Sequence, residues 1–196
     1  MYPEITFPIN KNIQNLSSFE VKVLFDWFNS HIDNRIQILE ETVSKTSGFG
    51  LWKADFSVKS LVELDKWFFE NVAYKDGTAN MPEGLEGEYN WLRGYIEENN
   101  LLGTKSFTNE TYSQCFDIGI YFSTMLKTEN SSLFWTKFTS KSYVDKNYPV
   151  LVNQSKSVRL ESNRIMRGIA NKYIESNEEG GLILEIYNIW KDLFLK

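Results

Sequence analysis

Apolar residues recur at steps of three and four over the first quarter of the chain, and this spacing places them on one face of an α-helix. They are Val21, Leu24, Phe28, Ile32, Ile36, Leu39 and Val43. Just before them, Ser17-Ser-Phe-Glu20 has the Ser-x-x-Glu form, in which a hydroxyl and a carboxylate satisfy free backbone amides at a helix start. Gly48-Phe-Gly50 follows and stops the pattern. We therefore predict a long helix that ends near residue 45.

Two more apolar stripes predict helices further along. Ser57 begins one helix, which ends near Tyr74, and Thr108 caps another. The first stripe consists of Val58, Leu61, Leu64, Phe68 and Val72, with Trp67 widening it. The second consists of Tyr112, Cys115, Phe116, Gly119, Phe122 and Leu126. Gly119 has no side chain, so we expect another element to approach this helix closely.

Between these helices, residues 75–87 are rich in glycine and polar side chains, a composition typical of a mobile loop. A shorter helix is predicted from about 88 to 99. The polar, asparagine-rich lead at 1–16 shows no periodic pattern of its own.

After the helix capped by Thr108, aromatic and β-branched residues predict a short antiparallel hairpin. Its two strands are 133–138 and 143–145, joined by Thr-Ser-Lys-Ser. Pro149 precedes Val150-Leu-Val152, which suggests an edge strand or an extended exit, because proline cannot donate to a β-ladder.

Two helices close the chain, from about 157 to 175 and from about 182 to 195, with Gly180-Gly181 between them. The resulting fold class is α+β, a mainly helical single domain over 1–196 with one short antiparallel β-hairpin or small sheet.

Composition agrees with a folded domain, because 42% hydrophobic and 15% aromatic residues supply ample core. The net charge of −5 repels phosphate backbones. The densest basic run consists of Lys137, Lys141 and Lys146, and Asp145 lies between the last two. This run does not form the cluster of basic residues that a nucleic-acid-binding surface needs. We expect no nucleic-acid partner.

The compartment is predicted from the cysteine count and the absence of targeting signals. Cys115 is the single cysteine and cannot form an internal disulfide. The N-terminus lacks a basic region followed by an apolar run, and no stretch approaches the roughly 20 apolar residues of a membrane span. These features predict a cytoplasmic protein without a membrane partner.

Candidate chemistry is sparse. His31 is the only histidine, so a histidine-based triad or a histidine pair for zinc cannot be assembled. Cys115 occupies an apolar helical position that favours core packing over nucleophilic catalysis. Gly48-Phe-Gly50 lacks the spacing of phosphate-binding loops. We predict no cofactor, no metal and no catalytic residue, which favours a protein without enzyme activity.

Carboxylates cluster between residues 76 and 98, where Arg93 is the one opposing charge. The members that we predict to bind a partner are Asp76, Glu83, Glu86 and Glu88. Three interpretations are open: a solvated loop, a carboxylate-dependent hydrolase, and a negative field that steers a basic protein partner.

The chain has six tryptophans. Trp27, Trp67 and Trp190 lie on or beside helical stripes and are predicted core residues. Trp52 and Trp135 lie in loop and hairpin contexts, where an exposed ring would anchor a protein interface and a packed ring would serve the core.

Two segments, 55–61 and 118–121, resemble a group of poorly characterised bacterial α+β domains. Asp55-Phe-Ser-Val-Lys-Ser-Leu61 matches that group's D-[YF]-S-x-x-S-L helix start, and Ile118-Gly-Ile-Tyr121 matches the first part of its I-G-x-Y-x-G-E helix, which a tryptophan-bearing hairpin follows. The resemblance covers roughly 55–152. Ser123-Thr124 replaces the Gly-Glu pair, so any activity of that glutamate is lacking here and a binding role is favoured.

The resemblance implies that some relatives are immunity proteins encoded beside toxins. Together with the acidic balance, this predicts a non-enzymatic protein-binding module, most concretely an immunity protein that neutralises a cognate, basic bacterial toxin. The alternatives are a carboxylate-dependent hydrolase and a structural or regulatory homodimer.

Overall fold

The computed structural model describes residues 1–75, 106–139, 145–176 and 180–195. Within these ranges the chain forms five α-helices and a small antiparallel sheet, which confirms the predicted mainly helical α+β single domain. The helices are α1 (Ser18–Lys45), α2 (Val58–Asn71), α3 (Asn109–Glu129), α4 (Ser162–Ser176) and α5 (Leu182–Leu195). The strands are β1 (Phe134–Lys137), β2 (Pro149–Val152) and β3 (Arg159–Leu160).

The first three helices begin where their capping residues predict. Ser17 and Glu20 form the complete capping box at the start of α1, with the Glu20 carboxylate 2.8 Å from the Ser17 amide. Ser57 and Thr108 cap α2 and α3 through their hydroxyls. Only the end of α2 differs, because this helix stops at Asn71 rather than near Tyr74.

Helix α3 lies at the centre of the molecule, and almost all its side chains from 111 to 126 are buried. It packs against α1 on one side and α4 on the other. Gly119 makes the second contact possible, since a β-carbon there would lie 3.1 Å from the Asn163 amide nitrogen and from the Ser162 hydroxyl. The predicted close approach at Gly119 is confirmed.

The sheet has the order β1-β2-β3, so β2 is its central strand and not the predicted edge. β1 pairs with β2, from Phe134 opposite Val152 to Lys137 opposite Pro149. Pro149 is compatible with this place because it occupies the first position of its strand. Of the predicted second hairpin strand, Asp145 lies in a turn, while 143–144 lie outside the described residues.

The segment before α4 also differs from its prediction. Arg159 and Leu160 form β3 on β2, so α4 begins at Ser162 rather than near 157. The closing helix α5 has the predicted bounds. Gly180 and Gly181 precede it with φ angles of 58° and 95°, a left-handed conformation that glycine adopts readily.

The N-terminal lead is tied into the core despite its polar sequence. Tyr2 is buried, and its hydroxyl donates to the Asp117 carboxylate of α3. Arg35 of α1 donates to the same carboxylate from Nε and Nη2, each at 2.6 Å. The lead, α1 and α3 are thus joined at one buried ion pair.

Two predictions lie outside the described residues: the helix at 88–99 and nearly all of the loop at 75–87. Among the helices that the structure describes, none carries an apolar run sufficient to cross a bilayer.

Candidate functional site

A cavity of about 150 Å³ lies where the N-terminal lead, α1, α3, the sheet and the start of α4 meet. We call it the aromatic cavity. Its wall comes from five separate parts of the chain, so only the folded protein forms it. Among the described residues, it is lined by Phe7, Ile13, Leu24, Trp27, Phe28, Phe116, Ile120, Trp135, Tyr148, Pro149, Glu161, Ser162 and Asn163.

The rings of the cavity wall hold one another in place. Phe28 of α1 contacts Trp135 of β1 edge-on, with ring centroids 4.8 Å apart and planes at 75°. It also contacts Phe116 of α3, with centroids 5.9 Å apart and planes at 89°. Such T-shaped pairs are favourable beyond the area that they bury. The wall is therefore preformed rather than assembled by a ligand.

Phe7 of the N-terminal lead forms part of the wall that faces solvent. Its side chain is 36% exposed. Its ring lies 5.5 Å from that of Phe116 and 5.4 Å from that of Trp27. The lead, which is anchored through Tyr2, therefore completes the cavity.

Glu161 is the one charged residue among the described lining residues, and it is only 6% exposed. It directly precedes α4, where its Oε2 atom accepts a hydrogen bond from the Arg164 amide at 2.9 Å. The Arg167 Nη2 atom lies 3.9 Å from the same oxygen. Burial raises the pKa of the Glu161 carboxyl to about 7, against the opposing effect of Arg167.

Glu161 reaches the cavity because α4 approaches α3 so closely. The contact of Gly119 with Ser162 and Asn163 fixes the first turn of α4 against α3. Glu161, Ser162 and Asn163 then line the cavity together. The site thus combines an aromatic wall with one buried carboxyl at the beginning of a helix.

Two other buried carboxyls have structural partners. Burial raises the pKa of Asp117 to about 6, opposed by the hydrogen bonds from Arg35. Burial also raises the pKa of Asp65, which accepts hydrogen bonds from the Tyr173 hydroxyl and from the amides of Gly181 and Ile183. The first joins the lead to the core, and the second fixes the start of α5.

The structure separates the two tryptophans predicted to bind a partner. Trp135 is half-buried and lines the aromatic cavity. Trp52 is 1% exposed, and its indole nitrogen donates to the Ser60 carbonyl at 2.9 Å. Its ring therefore belongs to the core, which is the packed alternative that the sequence left open for this residue. Asp76, Glu83, Glu86 and Glu88 lie outside the described residues.

The single histidine and cysteine have packing partners. His31 stacks on Trp27, with centroids 4.6 Å apart, and its Nδ1 atom lies 2.7 Å from the Trp27 carbonyl oxygen. Cys115 is fully buried, and burial raises the pKa of its thiol far above neutrality. Among the described residues, no histidine, cysteine and carboxylate side chains group in a way that would hold a metal ion.

The residues of the two family-like segments meet in space. The Tyr121 hydroxyl lies 2.6 Å from the Ser60 hydroxyl and accepts the Phe56 amide hydrogen at 2.9 Å. The Asp55 carboxylate accepts from the Ser57 amide. These contacts join the start of α2 to α3, so the structure explains the segments by packing.

Sequence reasoning missed Glu161, Phe28 and Phe116 as residues of a site. The two phenylalanines matched helical stripes, and a stripe does not distinguish a core ring from a cavity ring. A usable signal for Glu161 was available: Glu161-Ser-Asn precedes the apolar positions Ile165, Met166 and Ile169, as a helix start does.

Comparisons of the chain with protein-family models, with curated proteins and with solved structures find no match.

Proposed function

We propose that this protein is a non-enzymatic protein-binding module, most concretely an immunity protein that neutralises a cognate bacterial toxin. The observation that supports a binding role best is the aromatic cavity, which is preformed, largely apolar and of a size for one side chain. Protein interfaces draw much of their affinity from a few anchor side chains that fill such pockets.

The cavity wall favours binding because its rings are fixed before a partner arrives. The Phe28 ring of α1 contacts both Phe116 of α3 and Trp135 of β1. A preformed pocket does not have to order its own side chains when it binds, and that entropy cost is one of the terms that weaken protein association.

The toxin as partner is supported by the charge and by the resemblance of 55–152 to domains with immunity members. A chain with a net charge of −5 attracts a basic protein at long range. The acidic segment that contains Glu83, Glu86 and Glu88 would add to this attraction.

One observation favours a hydrolase as the second candidate. A carboxyl whose pKa is raised to about 7 inside a cavity has the properties of a general acid. However, the Glu161 carboxylate already accepts the Arg164 amide hydrogen, so capping α4 accounts for its burial. The neighbouring carboxylate, Asp145, pairs with the Arg164 guanidinium at 3.1 Å.

A co-expression experiment tests the proposal. Each gene that flanks the gene of this protein is expressed in a bacterial host, alone and together with this protein. We expect one neighbour to stop growth when it is alone and to be tolerated when this protein is present.

The variants Trp135→Ala and Phe19→Ala connect the result to the cavity. Trp135 lines the cavity, whereas Phe19 is a 75% exposed ring at the start of α1. Protection should be lost with Trp135→Ala and kept with Phe19→Ala. Flanking genes that are harmless alone, or equal protection by both folded variants, would contradict the proposal.

A further inference from the structure

We infer that the aromatic cavity receives a tyrosine side chain of the partner, with its ring among Trp27, Phe28, Phe116 and Trp135 and its hydroxyl donating to the Glu161 carboxylate. This inference rests on the proposed function for the source of the ring. The chemistry of the cavity itself can be tested without any partner.

The volume and the wall fit one six-membered ring. An apolar cavity of about 150 Å³ in another protein binds benzene, and the aromatic cavity has about the same volume. Phe28 makes edge-to-face contacts with two ring neighbours. A further ring can join this set through the same T-shaped and offset contacts.

Glu161 decides which aromatic group fits. Its carboxyl is 6% exposed, so an occupant without a polar group would cut it off from its remaining water. Burying a carboxyl without compensating hydrogen bonds is costly. A ring with one hydrogen-bond donor satisfies the carboxylate, and the tyrosine phenol carries that donor at the end of the ring that enters the cavity first.

Charge complementarity favours a neutral donor over a cation or an anion. The Arg167 guanidinium and the positive end of α4 lie beside the Glu161 carboxylate. Arg164 pairs with Asp145, and within the described part of the chain these two residues, together with Tyr148, are the other titratable or charged groups that act on Glu161. A full positive charge would meet the arginines, and a carboxylate ligand would meet Glu161 itself.

The titration of Glu161 predicts how binding depends on pH. The ionised carboxylate is the stronger acceptor for a phenol hydroxyl. Because burial raises the Glu161 pKa to about 7, the carboxyl is mostly neutral at pH 6 and mostly ionised at pH 8. Affinity for a phenol should therefore rise between pH 6 and pH 8, a range in which the phenol itself stays protonated.

The test is calorimetric titration of the whole protein with p-cresol, the side-chain analogue of tyrosine, and with toluene, which lacks only the hydroxyl. We expect p-cresol to bind at least about tenfold more tightly than toluene at pH 8, the value of a hydrogen bond to a charged group. p-Methylbenzylamine should bind more weakly than p-cresol.

Two variants separate the role of Glu161 from a loss of folding. Glu161→Gln should remove the pH dependence and most of the preference for p-cresol, while toluene, which no longer buries an ionised carboxylate, should bind at least as tightly as to the wild type. Glu185→Gln, at an exposed position on α5, should behave as the wild type. The wild-type measurements at pH 6 and pH 8 need no variant at all.

Equal affinities for p-cresol and toluene, or no binding of either at millimolar concentration, would overturn the inference about the ligand. A harmless set of flanking genes would instead overturn the proposed function and leave the p-cresol result standing. If p-cresol binds as expected but this protein neutralises the toxin without any toxin tyrosine entering the cavity, the cavity binds a free phenol and a partner tyrosine is not its ligand.

Discussion

Gly119 of α3 and Ser162 of α4 approach so closely that a β-carbon at position 119 would lie 3.1 Å from the Ser162 hydroxyl oxygen. The Asn163 amide nitrogen would also lie 3.1 Å from that β-carbon. The close approach of these two helices places Glu161 at the aromatic cavity, so one glycine connects the core to the site.

Gly119→Ala should destabilise the protein by about 1–3 kcal/mol, because the added methyl group forces two packed helices apart. Gly168→Ala is the matched control, since a β-carbon at this α4 position meets nothing within 4 Å. The control should gain stability, up to about 1 kcal/mol, from the better helix propensity of alanine. Urea denaturation of both variants measures the difference, and equal shifts would show that the Gly119 contact is not tight.

Asp117→Asn should cost about 3–5 kcal/mol, because it leaves the Arg35 guanidinium buried without its counter-charge. The two side chains form a bidentate pair inside the protein. Asp26→Asn is the control, because Asp26 pairs with Lys22 on the surface, where an ion pair contributes less than about 1 kcal/mol. A similar loss in both variants, measured by urea denaturation, would contradict the buried pair.

Glu161 makes stability depend on pH in a defined direction. Its folded pKa, about 7, lies above its ordinary value, so the folded protein holds a proton that the unfolded chain releases. This contribution is present below about pH 4.5 and is lost as the pH rises through 7. Glutamine imitates the neutral acid and still accepts the Arg164 amide hydrogen. The Glu161→Gln variant should therefore keep this contribution to stability as the pH rises.

We compare the free energy of unfolding of Glu161→Gln with that of the wild type at each pH. The difference, variant minus wild type, should be on the order of 2 kcal/mol larger at pH 8 than at pH 5. Urea denaturation at the two pH values gives this difference. Glu185→Gln serves as the exposed control. Parallel behaviour of the wild type and Glu161→Gln would mean that Glu161 titrates normally.

The helices could be predicted from the sequence because their signals are local. Ser17, Ser57 and Thr108 cap the predicted helices, and the stripes behind them give most of the core. The central place of β2 could not be predicted, because Pro149 argued for an edge and only pairing with Arg159 and Leu160 decides the order.

The aromatic cavity could not be predicted from the sequence for a related reason. Phe28 and Trp135 lie more than a hundred positions apart, with Phe116 between them, and each is an ordinary apolar residue in its own segment. Only the packing of α1, α3 and β1 makes one wall of them. Trp52 shows the opposite case, since a tryptophan in a loop proved to be a core residue.

The acidic segment should act on the rate of association with a basic partner. Replacing Glu83, Glu86 and Glu88 together with lysine should slow association, because long-range attraction is lost, and should hardly change stability. The wild-type rate should itself fall as salt is raised, since salt screens charges beyond roughly 8 Å at physiological ionic strength. Stopped-flow measurement at low and high salt tests this, and equal association rates at low salt would exclude these residues from steering.

We propose that the aromatic cavity is the surface on which a neutralised toxin docks. Calorimetric titration of the purified product of the toxic neighbouring gene into the wild type, Trp135→Ala and Phe19→Ala tests it most directly. We predict that the wild type and Phe19→Ala bind the toxin tightly and that the Kd of Trp135→Ala is at least about thirtyfold larger. This factor corresponds to the roughly 2 kcal/mol that a hot-spot residue contributes to binding. Equal affinity of all three folded proteins for the toxin would contradict the claim.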